Sequence, residues 1–538
     1  MIAKVYSCTI LGLQVSAVEV EAGVYGGLPE FLLVGLPDAA VRESRERVRA
    51  ALVSSGYRWP ARRLIVNLAP ADLRKEGGGL DLAVAAGILT ATEQLGQDGM
   101  EEYVFMGELS LDGSLRPTRG VLPAALSLAG VTRRFLVVPE ENYAEACRGT
   151  VQVIPLAHLS QLRELTARKK AVESGILGAG PAGKLFFGRD KAEGACGQEK
   201  DEAGDKEKEG ARGRKEGRIK SAEKSAGFTA DLTMVRGQLQ ARRALELAAA
   251  GNLSLMLLGP PGCGKSLLAR CLPSILPPLD QEEALMVNRI YSSAGLLTPD
   301  KPWISERPFR SPHCGITKAG LLGGGQPFLP GEISLAQHGV LYLDELPELD
   351  KNVLESLRQP LEEGRITLRR AWGSVTMPAS FQLVASANPC PCGFYGDGRV
   401  ECRCSDFQLR RYRARLSGPL LDRLDMIVHV PRLGPELFQD REALPETSAA
   451  VAARVARVRQ IQKARGPKAA LTIKDLQDQL AGPAKKLAAL AYEERLMTAR
   501  GYYRLLLLSR TVSDLAEEEK ISQASLAEAL QYRQEFQS

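Results

Sequence analysis

The stretch LSLMLLGPPGCGKSLLARCL, residues 253–272, decides how the chain is read. An apolar run with the character of a buried strand leads into a turn rich in Gly and Pro, and helical spacing follows. Gly259, Pro260, Pro261, Gly262, Cys263, Gly264, Lys265 and Ser266 satisfy the spacing G-x-x-x-x-G-K-[ST] throughout. Glycines let backbone N–H groups turn inward around phosphate oxygens, and the following helix N-terminus adds its positive dipole end. Lys265 stands where an ammonium neutralises β- and γ-phosphates, and Ser266 where a hydroxyl ligates Mg²⁺. A chance glycine-rich turn is the competing reading, and the strand before and helix after argue against it.

Two further strand ends extend this site. GVLYLDEL, residues 339–346, is an apolar strand ending in paired acids. Asp344 falls where a carboxylate holds Mg²⁺ through its water shell, and Glu345 where a base orients and deprotonates the attacking water. Two acids at a strand end also suit a solvated edge; beside a phosphate loop they point to hydrolysis of ATP. FQLVASANP, residues 381–389, ends in Asn388, whose amide could sense the γ-phosphate or the attacking water. The succession of phosphate loop, acidic strand end and polar strand end is similar to that of the AAA+ ATPases.

Longer stretches sharpen the likeness. FRSPHCGITKAGLLGGGQPFLPGEISLAQHGVLYLDELPE, LRQPLEEGRITLRRAWGSVTMPASFQLVASANPCPCG and RYRARLSGPLLDRLDMIVHVP resemble the magnesium-chelatase-like AAA+ family. Within it they resemble the YifB/ComM proteins, bacterial ATPases tied to DNA processing in natural transformation. The resemblance covers nearly all of the chain except one charged segment. It implies that the Arg of LLDR, Arg423, is an arginine finger reaching a neighbouring subunit's nucleotide. It also implies a sensor arginine on a C-terminal lid helix, placed at Arg500 in TARGYYRLLLLSRTVSDLA, with Arg504 one turn later as the second candidate. An arginine supplied in trans requires a ring or filament, and the resemblance implies a hexamer. An ordinary surface ion pair is the alternative for either arginine.

Two insertions bear on what such a motor would act on. EGRITLRRAWGSVTMPA reads as a hairpin with its turn at Trp372-Gly373, and the resemblance points it into the pore of the ring. Arg365, Arg369 and Arg370 offer charge for phosphates beside the flat face of Trp372. FRSPHCGITKAGLLGGG supplies Arg310, His313 and Lys318 on a Gly-rich segment, and RRYRAR at 410–415 is a third basic cluster. Single-stranded or branched DNA is the expected partner. The same hairpin in a protein remodeller would grip polypeptide, and a nucleotide-controlled assembly scaffold is a further alternative.

In PCPCGFYGDGRVECRC, residues 389–404, the cysteines Cys390, Cys392, Cys402 and Cys404 form two Cys-x-Cys pairs around a Gly-rich turn. Four thiolates fit a closed tetrahedral Zn²⁺ site with no open position, so the expected role is to clip a loop beside the ATP site; free thiols are the alternative. Such ligands suit Mg²⁺ badly, which disfavours a metal-inserting chelatase. KEGGGLDLAVAAGIL (75–89) and GELSLDGSLRPTRGVLPAALSLAG (107–130) resemble the Lon-protease-like fold. The place of its serine falls at about Gly79, however, and no lysine occurs from Leu109 to Gly130. Without that dyad proteolysis is not expected, and the GGG reads as a structural turn.

The 538 residues exceed one ordinary hydrophobic core. The expected fold is α/β: a Lon-protease-like N-terminal domain over 1–165, an AAA+ parallel-sheet core over 228–435 and a helical lid over 445–538. In the N-terminal part, FLLVGLP precedes a helix that Asp38 can cap and Gly56 can end. Residues 178–226 read as a disordered linker, since from Lys191 to Lys224 over half are charged and none is aromatic. A net charge of +6 is too mild to indicate nucleic acid unaided. The N-terminus alternates apolar and polar residues, unlike a signal peptide, and no run reaches the length of a membrane span. A cytoplasmic location is therefore expected, where clustered cysteines suggest a metal rather than disulfides.

Overall fold

A computed structural model describes residues 2–36, 39–73, 75, 77–128, 135–165, 230–325, 327–370, 373–416, 418–434, 446–466, 471–494 and 497–533. The expected linker 178–226, the expected cap Asp38 and the expected hairpin tip Trp372 lie outside these.

The N-terminal part is a mixed sheet built on period-two alternation. β1 (Ile2–Leu11) and β2 (Gln14–Tyr25) form an antiparallel hairpin; β3 (Phe31–Val34), α1 (Ala39–Ser54) and β4 (Arg63–Ala69) follow. Val18, Val20 and Ala22 on β2 and Leu64, Val66 and Leu68 on β4 point to one side and are buried, while the residues between them are not. α2 (Asp81–Ala91) is apolar all round and buried along its whole length against that side. The chain goes on through β5 (Tyr103–Phe105), α3 (Val121–Ser127), β6 (Phe135–Pro139) and β7 (Gln152–Leu156), and the sheet order is β3-β4-β2-β1-β5-β6-β7.

The second sheet is wholly parallel. Its strands follow α4 (Leu239–Gly251) and are separated by further helices: β8 (Leu255–Leu258), α5 (Lys265–Ile275), α6 (Gln281–Ala294), β9 (Phe309–Arg310), α7 (Lys318–Leu322) and β10 (Val340–Leu343). After α8 (Arg358–Glu363) comes a separate antiparallel hairpin, β11 (Arg365–Arg370) with β12 (Gly373–Pro378), paired from Arg365↔Pro378 to Arg370↔Gly373. β13 (Gln382–Ala387), α9 (Asp406–Arg413) and β14 (Met426–His429) complete this part. The strand order is β9-β10-β13-β8-β14, each neighbour parallel to the next. LMLL and VLYL are apolar at every position because both faces of these strands are covered.

C-terminal helices share the core of that sheet, among them α10 (Ser448–Arg465), α11 (Ala499–Leu515) and α12 (Gln523–Gln531). Val451, Val455 and Val458 form one stripe of α10, at the spacing of a helix face, and join the same core as Leu505, Leu508 and Leu526.

Among the described residues the N-terminal part touches the second part at the hairpin tip, around Ser292, and where Arg148 lies over the Trp303 ring. Leu11 and Leu13, at the tip of the β1–β2 hairpin, join a cluster with Phe328, Val375, Met377 and residues of α6. Gly12 between them has φ +64, and a Cβ there would lie 2.7 Å from Val375 Cγ1, so the tip fits against β12 only without a side chain. At the second place Gly120 N–H donates to the Ser292 carbonyl at 2.9 Å and Leu122 N–H to Ser292 Oγ at 3.2 Å. Among the described residues no helix is long and apolar enough to cross a membrane.

Candidate active site

Parallel strands all end on one edge, and the first set of expected site residues gathers there. The phosphate loop leaves β8 and enters α5 at Gly264, whose φ of +94 is accessible to Gly at little cost. Gly259 is required for a different reason: a Cβ there would lie 2.2 Å from the Val430 carbonyl oxygen. Lys265 is buried, and its ammonium donates to the carbonyls of Gly259 (2.6 Å) and Pro260 (2.9 Å) and to Asn388 Oδ1 (3.1 Å). Burial lowers its pKa, because the charged form loses solvation. Asn388, at the end of β13, thus meets the phosphate-loop lysine directly.

Ser266 and Asp344, the expected Mg²⁺ pair, face each other with Oγ to Oδ2 at 3.4 Å. Two residues not singled out from the sequence hold them. The Tyr342 hydroxyl lies 3.1 Å from Ser266 Oγ and 2.9 Å from Asp344 Oδ1, and the Ser386 hydroxyl donates to Asp344 Oδ1. A signal for both was present: each stands two residues before a strand-end site residue, hence on the same side of its strand. Glu345 has φ +49, a left-handed conformation that costs a non-Gly residue about 1 kcal/mol. Its N–H donates to Asp344 Oδ1 (3.1 Å) and Ser386 Oγ (3.2 Å), which anchors the turn and leaves the carboxylate exposed.

Arg423 and Arg500 stand at the opposite edge, where the strands begin. They line a cavity of about 580 Å³ with Ser254, Gln382 and Asp425, which lie at the starts of β8, β13 and β14. Arg423 Nη2 donates to Glu362 Oε1, and Arg500 Nη2 reaches the same oxygen at 2.5 Å. Arg504, the second candidate for the sensor, is paired instead with Asp425 at 2.5 Å, and Asp425 also accepts from Ser254 N–H and Oγ at 2.7 Å each. That ties Arg504 into the framework of the sheet and leaves Arg500 beside Arg423.

The four cysteines come together. Cys390 Sγ is 3.3 Å from Cys392 and 3.7 Å from Cys402, Cys392 is 3.6 Å from Cys402, and all four sulfurs including Cys404 lie within 4.8 Å of one another. Zn–S bonds of about 2.3 Å in a tetrahedron place sulfurs roughly 3.8 Å apart, so the cluster fits that ion. Against a desolvation cost, the backbone N–H groups of Phe394 and Arg403 and the neighbouring thiols hold Cys392 down to about 6, favouring the thiolate. The loop they close abuts the phosphate loop: a Cβ on Gly393 would lie 2.7 Å from Pro261 Cδ.

The basic elements differ in how their charge is used. Arg310 forms a two-pronged ion pair with Glu332 at 2.6 and 2.7 Å and is partly buried. Its charge is therefore internally compensated, a pairing the sequence did not disclose. Arg365 is exposed with Glu363 at 3.3 Å, and Arg369 and Lys318 are exposed. Arg370 lies at the last paired position of β11. In the N-terminal sheet the GGG is a turn before α2: the Gly79 carbonyl accepts from Gly107 N–H at 2.9 Å, and a Cβ on Gly79 would come within 2.9 Å of Thr118 Oγ1.

Comparison with known proteins gives three family matches in succession: Subunit ChlI of Mg-chelatase over residues 20–142, Magnesium chelatase, subunit ChlI over 231–437, and its C-terminal region over 445–533. The competence protein ComM of Haemophilus influenzae is 39% identical over 99% of this chain and 97% of its own length. YifB of Salmonella typhimurium is 37% identical with the same coverage of both chains. The magnesium-chelatase 67 kDa subunit of Heliobacterium mobile is 28% identical over 40% of this chain and 36% of its own.

Tyr342→Phe removes a hydroxyl that touches both Ser266 and Asp344 while keeping the ring in the core. The Mg²⁺ concentration for half-maximal ATP hydrolysis is expected to rise about fivefold, the effect of one hydrogen bond of about 1 kcal/mol. Titration of turnover with Mg²⁺ reads this out, and an unchanged midpoint would remove Tyr342 from the site.

Proposed function

The chain belongs to the magnesium-chelatase-like ComM/YifB family, and from that premise we propose that it is an AAA+ ATPase working as a ring, a hexamer, that drives branched or strand-exchanged DNA. The setting proposed is recombination of incoming DNA, in keeping with the competence protein among its relatives. The observation that carries the reading is the separation of Lys265, Ser266, Asp344 and Asn388 from Arg423 and Arg500 on opposite edges of one sheet. A site that needs both sets must draw them from two chains.

In that site Lys265 and the backbone of the phosphate loop would bind the phosphates of ATP. Mg²⁺ held by Ser266 and Asp344 would supply charge neutralisation at the β- and γ-phosphates. Glu345 would take the proton of the attacking water and Asn388 would orient that water. Arg423 and Arg500 of the adjacent copy would meet the charge that builds up in the transition state. The C-terminal helices serve in this reading as the lid, and the N-terminal sheet as a Lon-protease-like collar without protease chemistry. Hairpin β11–β12, with Arg365, Arg369, Arg370 and Trp372, would carry the DNA contacts with help from Lys318, while Arg310 enters only if Glu332 releases it. Zn²⁺ held by Cys390, Cys392, Cys402 and Cys404 would fix the loop against Pro261.

Arg423→Ala is expected to lower ATP turnover by at least about a hundredfold, as loss of an arginine finger does, with nucleotide binding retained. Forked DNA should stimulate the unaltered chain, steeply weakened by salt because phosphate contacts release counterions. Turnover indifferent to both the substitution and DNA would refute the reading.

Purified protein is expected to hold one zinc per chain by elemental analysis, lost in Cys402→Ser/Cys404→Ser. Metal-free protein with four titratable thiols would contradict the clip.

A further inference from the structure

Arg423 and Arg500 reach one atom from separate parts of the chain, the turn before β14 and the first turn of α11. Both end on Oε1 of Glu362. Two guanidiniums converging in this way repel each other, and the carboxylate between them is what makes the arrangement favourable. Among the described residues no other carboxylate in the cavity competes for them. Asp425, the second acid lining it, is occupied by Arg504 and by Ser254. Apart from Glu362, Arg423 is held by the Pro419 carbonyl through Nη1, while its buried Nε has no hydrogen-bond partner among the described residues. Removal of Glu362 would therefore free Nη2 of both arginines together.

Glu362 also has a telling place in the fold. It lies at the end of α8, which stops at Gly364 in a left-handed turn and passes at once into β11. The carboxylate that sets the arginines is thus at the root of the hairpin.

We propose that Glu362 is the positioning residue for both arginines, holding them side by side for the nucleotide of the adjacent copy, and that through α8 it ties their engagement to the hairpin. The inference rests on the reading that the arginines act in trans. A γ-phosphate in the adjacent site competes with Glu362 for the guanidiniums, and its loss returns them, so the two states differ in the force on α8.

Glu362→Gln keeps the shape and removes the charge. Its turnover number is expected to fall ten- to a hundredfold, the range for a charge-assisted hydrogen bond, with the KM for ATP within about twofold because the phosphate loop is untouched. Stimulation by forked DNA, measured as the ratio of rates with and without it, should fall to one. Mixing separates the roles. Lys265→Ala subunits lack a working phosphate loop but keep Glu362, so rings mixed with Glu362→Gln subunits should regain turnover at the seams where each supplies what the other lacks. Arg423→Ala mixed with Lys265→Ala is the control.

Recovery in both mixtures is the expected result. Recovery in the control alone overturns the role of Glu362, and recovery in neither overturns the trans reading beneath it. A Glu362→Gln chain at full turnover also overturns the proposal, and an unaltered DNA ratio overturns the tie to the hairpin. Should Glu362→Gln melt at a lower temperature than the unaltered chain, the mixtures are repeated with Glu362→Met, which also removes the charge at similar length, and each pattern of recovery carries the same meaning.

Discussion

Five strands running in one direction put all their ends on one edge of the sheet and all their beginnings on the other. The rest of the site follows from that polarity. Lys265 after β8, Asp344 after β10 and Asn388 after β13 are brought together because their strands are neighbours, and the hydrogen bond from the Lys265 ammonium to Asn388 joins the loop to the third strand. The same polarity carries Arg423, just before β14, away from the phosphate loop of its own chain. In the proposed motor a bound nucleotide meets these arginines from a second copy.

Around this centre the chain places supports that act through contact. Tyr342 and Ser386 hold Asp344, and the cysteine loop lies against Pro261 of the phosphate loop. The hairpin β11–β12 follows directly on α8, which carries Glu362, and is packed along β12 by Leu11 and Leu13 of the N-terminal sheet. The tip of the N-terminal sheet therefore lies directly against the hairpin, with no room to spare at Gly12. In the proposed motor this links the ATP seam, the hairpin and the collar through packed surfaces.

How much of this was legible in the sequence depended on distance along the chain. The phosphate loop, the acids of β10 and Asn388 could be read because each is a local pattern at the end of an apolar strand. The hairpin was legible from its alternation, and the cysteine cluster from its spacing. Tyr342 and Ser386 were within reach of period-two reasoning, but Tyr in an apolar strand reads first as core. The pairing of Arg310 with Glu332, the convergence of two arginines on Glu362 and the fit of Gly12 against Val375 were not legible. Each joins residues that only the folded chain brings together, and an arginine in a sequence shows its charge but not its partner.

The central claim, that ATP is cleaved at a seam between two copies, is tested most directly by following turnover per chain against protein concentration while mass photometry reports assembly. The account predicts that turnover rises in step with rings and vanishes on dilution to single chains. Single chains hydrolysing at the rate of the assembled protein would contradict it.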